Sequence, residues 1–175
     1  MPNCKLEHDM ALFARVLYPR HVVIATCVDG DGRANIIPLS FSMPVSYDPP
    51  KVVISVGLTK YSHNLIHEAG EYVLNVPTED LAVQARFCGT VSGREYDKFS
   101  ESGLTAVPSQ RVKSPLIAEC VAHLECQVSG EMTAGDHTLF VGDVVAAWVN
   151  EGYFDYQAGF PNPDSFTPLF APMKV

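Results

Sequence analysis

The stretch His21–Phe41, HVVIATCVDGDGRANIIPLSF, contains two runs of β-branched and apolar residues around a short polar sequence. The polar part, DGDG from Asp29 to Gly32, is typical of a tight turn, because Asp-Gly pairs tolerate the backbone angles that a two-stranded hairpin requires. Two strand-like runs joined by so short a turn must run antiparallel. The stretch therefore predicts a β-hairpin and favours an antiparallel β fold.

Further strand patterns follow along the chain, and most of them come in neighbouring pairs. The sequence predicts strands at KVVISVG (51–57), EYVLNV (71–76), AECVAHLECQVSG (118–130) and HTLFVGDVVAAWV (137–149), with a bulge or bend at Gly142. Neither a G-x-G-x-x-G fingerprint after the first strand nor a Walker motif occurs. We therefore expect a mainly β protein, an antiparallel barrel with short helices attached, rather than a doubly wound parallel sheet.

The helical patterns between these strands are short. One amphipathic helix is expected from about residue 9 to 17, ending before Pro19. A second is expected over YSHNLIHEAG, with Ser62 as its N-cap and Gly70 as its C-terminal stop. Thr78 is expected to cap a third helix over EDLAVQARF (79–87).

Length and composition limit the class of protein. A chain of 175 residues with 47% hydrophobic and 18% charged residues predicts a single globular domain over 1–175. The tail from about residue 151 is rich in proline and aromatic residues, and it is either disordered or laid across another surface, which its aromatics favour. Apolar runs too short to cross a bilayer, and an N-terminus without a signal pattern, predict a cytoplasmic protein.

The charge balance argues against some partners. A net charge of −8 repels nucleic acid and acidic membranes, so neither is expected as a partner. A small anionic ligand remains compatible with it, because a local cluster of cations and backbone N–H groups can hold a phosphate.

The sequence gives little support for a metal site. Its five cysteines include no C-x-x-C pair, which indicates buried free thiols in a reducing compartment. The DGDG sequence lacks the ligands of a calcium loop, since Arg33 and Ser40 stand where acidic ligands are needed. His63 and His67 lie four residues apart, which is a metal-like spacing, but no third ligand is evident. We expect no bound metal.

The stretch LSFSMPVSYDPP (39–50) places hydroxyls where a strand ends and then restricts the backbone with two prolines. It predicts a rigid polar rim that could contact a flat heteroaromatic ligand with a polar edge. An ordinary surface loop would show the same sequence pattern. Three other stretches favour a ligand site: GLTKYSHN (57–64) at a helix start, SGREYDKF (92–99) in a loop, and GDHTLFVGDV (135–144), which sets His137 at a strand start.

In order and spacing, these segments resemble the flavin reductase-like, FMN-binding split-barrel proteins, which include flavoredoxins and short-chain NAD(P)H:flavin reductases. The resemblance rests on 35–41, SYDPPKVVISVG, YSHNLI, YVLNVP, FCGTVSGREYDKF and GDHTLFVGDVV, and it covers about residues 18–147. It implies an FMN-binding split β-barrel, antiparallel and Greek-key-like, in a homodimer with one FMN per subunit near the dimer interface. At Tyr61 the chain differs from the commoner family pattern.

The resemblance also implies roles for individual residues. The edge of the isoalloxazine ring would meet one strand end, and a second strand would run beside the ring. The phosphate would meet a helix start and the loop after residue 91, and one histidine would act catalytically by receiving the nicotinamide. The residues of the first strand end are Asn35, Pro38, Ser40, Phe41 and Ser42, and those of the second strand are Ser55, Val56 and Gly57. The phosphate residues are Lys60, Ser62 and Asn64 at the helix start and Ser92 and Arg94 in the loop. The catalytic histidine is His137.

Each assignment has a simpler alternative. Ser40 and Ser42 could only cap strand ends, and Lys60 could be a solvated cation. Arg94 could pair with a neighbouring carboxylate, Glu95 or Asp97, and His137 could be a turn histidine bonded to Asp136.

The function that we expect is an FMN-dependent oxidoreductase. It would take a hydride from NAD(P)H and pass electrons to free flavin, a ferric complex or a protein. The first alternative is a flavoredoxin-like carrier that receives electrons from a redox partner protein, with the aromatic tail filling the space above the flavin. The second is a flavin-binding module without turnover. The sequence identifies neither the acceptor nor a residue that would distinguish NADPH from NADH.

Overall fold

The computed structural model describes residues 10–162 and 166–171. The strands are β1 (Arg20–His21), β2 (Val23–Val28), β3 (Ala34–Leu39), β4 (Ser42–Tyr47), β5 (Pro50–Gly57), β6 (Glu71–Val76), β7 (Ala106–Val107), β8 (Leu116–Ile117), β9 (Ala122–Ala134), β10 (His137–Val149), β11 (Phe154–Asp155), β12 (Phe160–Pro161) and β13 (Phe170–Ala171). The α-helices are α1 (Tyr61–Ala69), α2 (Ala82–Thr90) and α3 (Lys98–Ser102), and two 3₁₀ helices span Met10–Leu17 and Glu79–Leu81.

Seven strands form the main sheet in the order β3-β2-β6-β9-β10-β5-β4. Every neighbouring pair is antiparallel. The two edge strands, β3 and β4, are consecutive in the chain and are joined only by Ser40 and Phe41. Because such a link spans about 11 Å at most, the sheet has to curl until its two edges approach each other. This confirms the expectation of a mainly β, antiparallel architecture with short helices.

Strand β2 lies between two cores. All six of its residues are buried, whereas a strand at a half-solvated face would alternate. Val23, Ala25 and Cys27 pack into the core inside the curled sheet. Ile24 points to the opposite face, into a second core that is closed by α2 and by the C-terminal segment. The two-residue period of a strand thus divides one hairpin strand between both cores.

Strand β4 is missing from the sequence-based expectation, which treated 42–50 as a rigid loop. The structure shows a strand over Ser42–Tyr47 that pairs with β5, and Pro50 is the first residue of β5. The pattern SMPVSY lacks the β-branched alternation of a buried strand, and it contains Pro44. Because β4 is an edge strand, it tolerates a proline whose missing N–H would break a central ladder.

Helix α1 ends as expected and begins differently. Gly70 takes a left-handed conformation (φ 66°) and donates its N–H to the carbonyl of Ile66. The N-cap residue is Lys60, which makes no side-chain capping bond, so the prediction of Ser62 as N-cap is wrong. Ser62 is buried inside the first turn, where its hydroxyl is engaged by Asn35. Thr78 is the N-cap of the 3₁₀ helix that precedes α2, again without a side-chain bond.

Residues 167–171 of the C-terminal tail pack against this chain's own surface. Strand β13 pairs with β1, and Leu169 and Ala171 are buried in the second core. The bulge predicted at Gly142 is present as a register shift beside Val141. No helix of the described ranges is long and apolar enough to span a membrane.

The described cysteines are buried free thiols, as the sequence predicts, and Cys4 lies outside the described residues. Burial raises the pKa of the Cys27, Cys120 and Cys126 thiols to about 12. The free, buried thiols are Cys27, Cys88, Cys120 and Cys126.

Candidate functional site

A cavity of about 590 Å³ opens between β3, β5, the start of α1 and the segment after α2. This volume lies in the usual range for small-molecule sites. Its walls combine hydroxyl groups, backbone and apolar side chains with cations at one end. The lining residues are Ile37, Pro38, Leu39, Ser40, Phe41, Ser55, Gly57, Thr59, Lys60, Tyr61, Ser62, residues 88–95, Lys98 and His137.

Most of the predicted site residues are brought together in this cavity, although they come from four separate stretches of sequence. Gly57 shows how tightly they converge. A Cβ atom added to this glycine would lie 3.6 Å from both the Nε2 of His137 and the Cγ of Lys60. The predicted residues that line the cavity are Pro38, Ser40, Phe41, Ser55, Gly57, Lys60, Ser62, Ser92, Arg94 and His137.

Four predicted residues do not line it. Val56 is fully buried, because alternate residues of β5 point into the core and Ser55 and Gly57 face the cavity instead. Ser42 opens β4 opposite Ile54, past the two-residue link. Asn64 is exposed on α1 and contacts the Nδ1 of His63 at 3.3 Å.

Asn35, the fourth of these residues, lies directly behind the cavity wall. Its side chain is 2% exposed and donates from Nδ2 to the hydroxyl of Ser62 at 2.7 Å. Its Oδ1 is buried and has no hydrogen-bond partner among the described residues. Asn35 therefore supports the cavity-lining Ser62 from behind.

One end of the cavity is cationic. Lys60 precedes α1, and the absence of a side-chain cap leaves the first N–H groups of that helix available to a ligand. The guanidinium of Arg94 stacks over the Tyr61 ring, with Cζ 4.9 Å from the ring centroid. Tyr61 thus holds Arg94 at this end. Two cations and a helix N-terminus form a group suited to a phosphate.

His137 also lines the cavity, next to Gly57. Its Nδ1 contacts the carboxylate of Asp136 at 2.7 Å, so the turn contact considered as an alternative is present. The same contact lowers the pKa of the exposed Asp136 carboxyl. The ring of Phe41 packs beside the imidazole. His137 is therefore oriented by Asp136 while it also lines the cavity.

Sequence analysis missed Lys98, whose side chain is buried beneath the cavity. A lysine inside the polar run SGREYDKF gives no sign of burial, since lysine is almost never fully buried. It also missed Gly89 and Gly93, which sit against neighbouring walls. Two glycines four residues apart, one at each end of TVS, were the available signal of a close backbone approach.

The two histidines with metal-like spacing have other partners. His63 contacts the Thr138 hydroxyl through Nε2 at 2.8 Å, and His67 contacts Glu131 through Nδ1 at the same distance. Within the described ranges, no group of three or more potential ligands could hold a metal ion.

The curled antiparallel sheet and the lining of its cavity define a mainly β protein with a cavity suited to a small, partly anionic ligand. The chain belongs to the flavin reductase like domain family, whose model matches residues 14–162.

Three known proteins illustrate the similarity. A flavin reductase (NADH) of Kitasatospora aureofaciens is 30% identical over 94% of this chain and 78% of its own length. The flavoredoxin of Methanosarcina acetivorans superposes with a TM-score of 0.82, at 27% identity over 97% of this chain and 86% of that one. An FMN-binding protein of Thermus thermophilus also superposes with a TM-score of 0.82, at 26% identity over 93% of this chain and 88% of that one. The expected split-barrel fold and family are thereby confirmed.

Proposed function

We propose that this chain binds FMN in the cavity and is an NAD(P)H-dependent flavin oxidoreductase. It would pass electrons to an acceptor such as free flavin or a ferric complex. The observation that carries the proposal is the lining of the cavity, which combines hydroxyl groups with the cations Lys60 and Arg94 at the start of α1. A planar polar ring joined to a phosphate matches that combination of groups.

The residues of the cavity fit FMN. Lys60, Arg94 and the uncapped N-terminus of α1 would hold the phosphate, since charge-assisted bonds and the helix dipole both favour a dianion there. Ser40 and Ser55 offer hydroxyls along the wall, and such groups can donate to ring carbonyl oxygens. Three cationic side chains, including Lys98, offset the net charge of −8 locally.

When bound, FMN supplies the ring that takes up a hydride from NAD(P)H and later releases the electrons. The side chains of this chain bind the flavin, orient it and shield it from water. Hydride transfer needs no general base, and Glu95 is the only acidic residue among the described residues that line the cavity. His137, which Asp136 orients, would position the nicotinamide without moving a proton.

The open side of the cavity supports an electron donor that binds from solution. Among the described residues, none after His137 lines the cavity, so the described part of the tail leaves the cavity open to a second ligand. The similarity to a flavin reductase (NADH) supports the same donor class. A carrier served only by a protein partner would not need this space.

We also propose a homodimer. Edge strand β4 carries exposed Met43, Val45 and Tyr47, and an unpaired edge with apolar side chains calls for a cover. The N-terminal 3₁₀ helix adds exposed Phe13 and Val16. A second copy of the chain would cover such surfaces.

Anaerobic mixing tests the function. The protein is loaded with FMN, freed of excess flavin, and mixed with NADH or NADPH while the flavin absorbance is followed. Rapid bleaching by either nucleotide is the expected result. A protein that fails to bind FMN contradicts the flavin site. Bound FMN that dithionite bleaches and both nucleotides leave oxidised would identify a carrier or a binding module instead.

A further inference from the structure

Lys98 joins two walls of the cavity. It is the first residue of α3, and its side chain is only 5% exposed. Its Nζ donates to the carbonyl of Ile36 at 2.7 Å and to the carbonyl of Cys88 at 2.6 Å. Ile36 belongs to β3, whose next residues form one wall, and Cys88 belongs to the last turn of α2, which leads into a second wall.

The environment explains how a buried ammonium is tolerated. Across residues 10–162 and 166–171, no carboxylate forms an ion pair with Lys98. The carbonyl of Cys88 lies at the C-terminal end of α2, where the helix dipole favours a cation. Burial is the main cause of the lowered pKa of Lys98. The lysine is therefore compensated by backbone carbonyls on the two walls that it connects.

The walls meet closely beside this lysine. A Cβ atom on Gly89 would lie 3.0 Å from the Cγ of Pro38, and one on Gly93 would lie 2.1 Å from the Oδ1 of Asn35. The segment that carries Ser92 and Arg94 therefore packs directly against β3 and its neighbours. It has no side chain of its own at these two points to hold it there, and the bonds of Lys98 supply a fixed attachment next to Gly89.

We propose that Lys98 is a positioning residue that fastens the segment 89–94 to β3 and so keeps Arg94 at the cationic end of the cavity. This inference rests on the proposed FMN site. Its consequence is that Lys98 contributes to the preference for FMN over riboflavin through Arg94, although its own ammonium is engaged by the two carbonyls.

The test is a comparison of FMN and riboflavin binding in a double-mutant cycle. Lys98→Met should raise the dissociation constant for FMN about tenfold or more, the scale of one charge-assisted bond, with little change for riboflavin. In an Arg94→Ala background, adding Lys98→Met should lower the remaining preference for FMN very little, because Lys98 acts through Arg94 and that residue has been removed. A lysine that only stabilised the fold would weaken both ligands alike.

Two further variants complete the test. Lys113→Met removes an equal charge from an exposed position and should leave the preference intact. Gly89→Ala pushes the segment 89–94 away from Pro38 of β3 without removing a buried charge. It therefore tests the attachment if Lys98→Met does not fold. Equal weakening of FMN and riboflavin by Lys98→Met and Gly89→Ala, or full additivity with Arg94→Ala, would overturn the inference. A wild-type protein without any preference for FMN would overturn the proposed phosphate site itself.

Discussion

The phenyl ring of Phe41 and the imidazole of His137 pack together at the opening of the cavity, with their centroids 5.8 Å apart and an angle of 36° between the planes. Phe41 comes from the link between the two edge strands of the sheet, and His137 comes from the first position of β10. Phe41 is 40% exposed, so this pair presents an aromatic surface to a ligand that arrives from solution.

We expect His137→Ala to slow flavin reduction by NAD(P)H while FMN affinity changes little. One lost positioning contact corresponds to about 1–3 kcal/mol, which is on the order of ten- to a hundredfold in rate. Stopped-flow bleaching, with FMN affinity measured alongside, gives both quantities. His67→Ala is the matched control, because His67 is an exposed histidine that contacts Glu131 outside the cavity. An unchanged rate in His137→Ala would show that the imidazole has only its turn contact.

Arg94→Ala and Lys60→Ala should each weaken FMN more than riboflavin. A charge-assisted bond to the phosphate contributes about 1.5–3 kcal/mol, and riboflavin has no phosphate to lose. Fluorescence titration with both ligands measures the difference. Arg33→Ala removes an exposed cation that pairs with Asp29, and it should leave both affinities unchanged. Parallel losses for FMN and riboflavin would remove Arg94 and Lys60 from the phosphate site.

The purified protein should be a dimer at low concentration, and Val45→Lys should shift it toward the monomer. A lysine on edge strand β4 places a charge where a second copy would pack. Light scattering across a dilution series measures the mass. Val83→Lys changes an exposed valine of α2, 76% exposed, and should leave the mass unchanged. A wild-type monomer at every concentration would contradict the proposed dimer.

Gly142→Ala should destabilise the fold, because there is no space for a side chain at the bulge. The added Cβ would lie 2.3 Å from the Oη of Tyr72, which is fully buried, and 3.0 Å from the Cβ of Cys126. Overpacking of this kind costs about 1–3 kcal/mol. Chemical denaturation would measure the loss. Gly130→Ala, on the facing strand β9, meets nothing closer than 3.8 Å and should be nearly neutral, so equal losses would refute the steric explanation.

Local chemistry made much of the fold predictable. The Asp-Gly turn between β2 and β3 and the left-handed Gly70 follow from residues that act through their immediate neighbours. The glycine itself marked the bulge at Gly142, although the lack of space there comes from Tyr72 and Cys126, which are distant in sequence. Strand β4 was missed for a tertiary reason: its pattern is that of an edge strand, and a position at the edge becomes known only when the whole sheet is assembled.

The candidate site was likewise predictable only in part. The sequence by itself determined that hydroxyls, a helix start, a cationic loop and His137 are present, and the resemblance gathered them into one site. Only the tertiary structure decided which of them share the cavity. The pleat of β5 turns Val56 into the core, and Asn35 lies behind the wall that it supports. Lys98 reaches two carbonyls 62 and 10 residues away in sequence. Burial of a polar group depends on what packs over it from distant segments, and no local pattern contains that information.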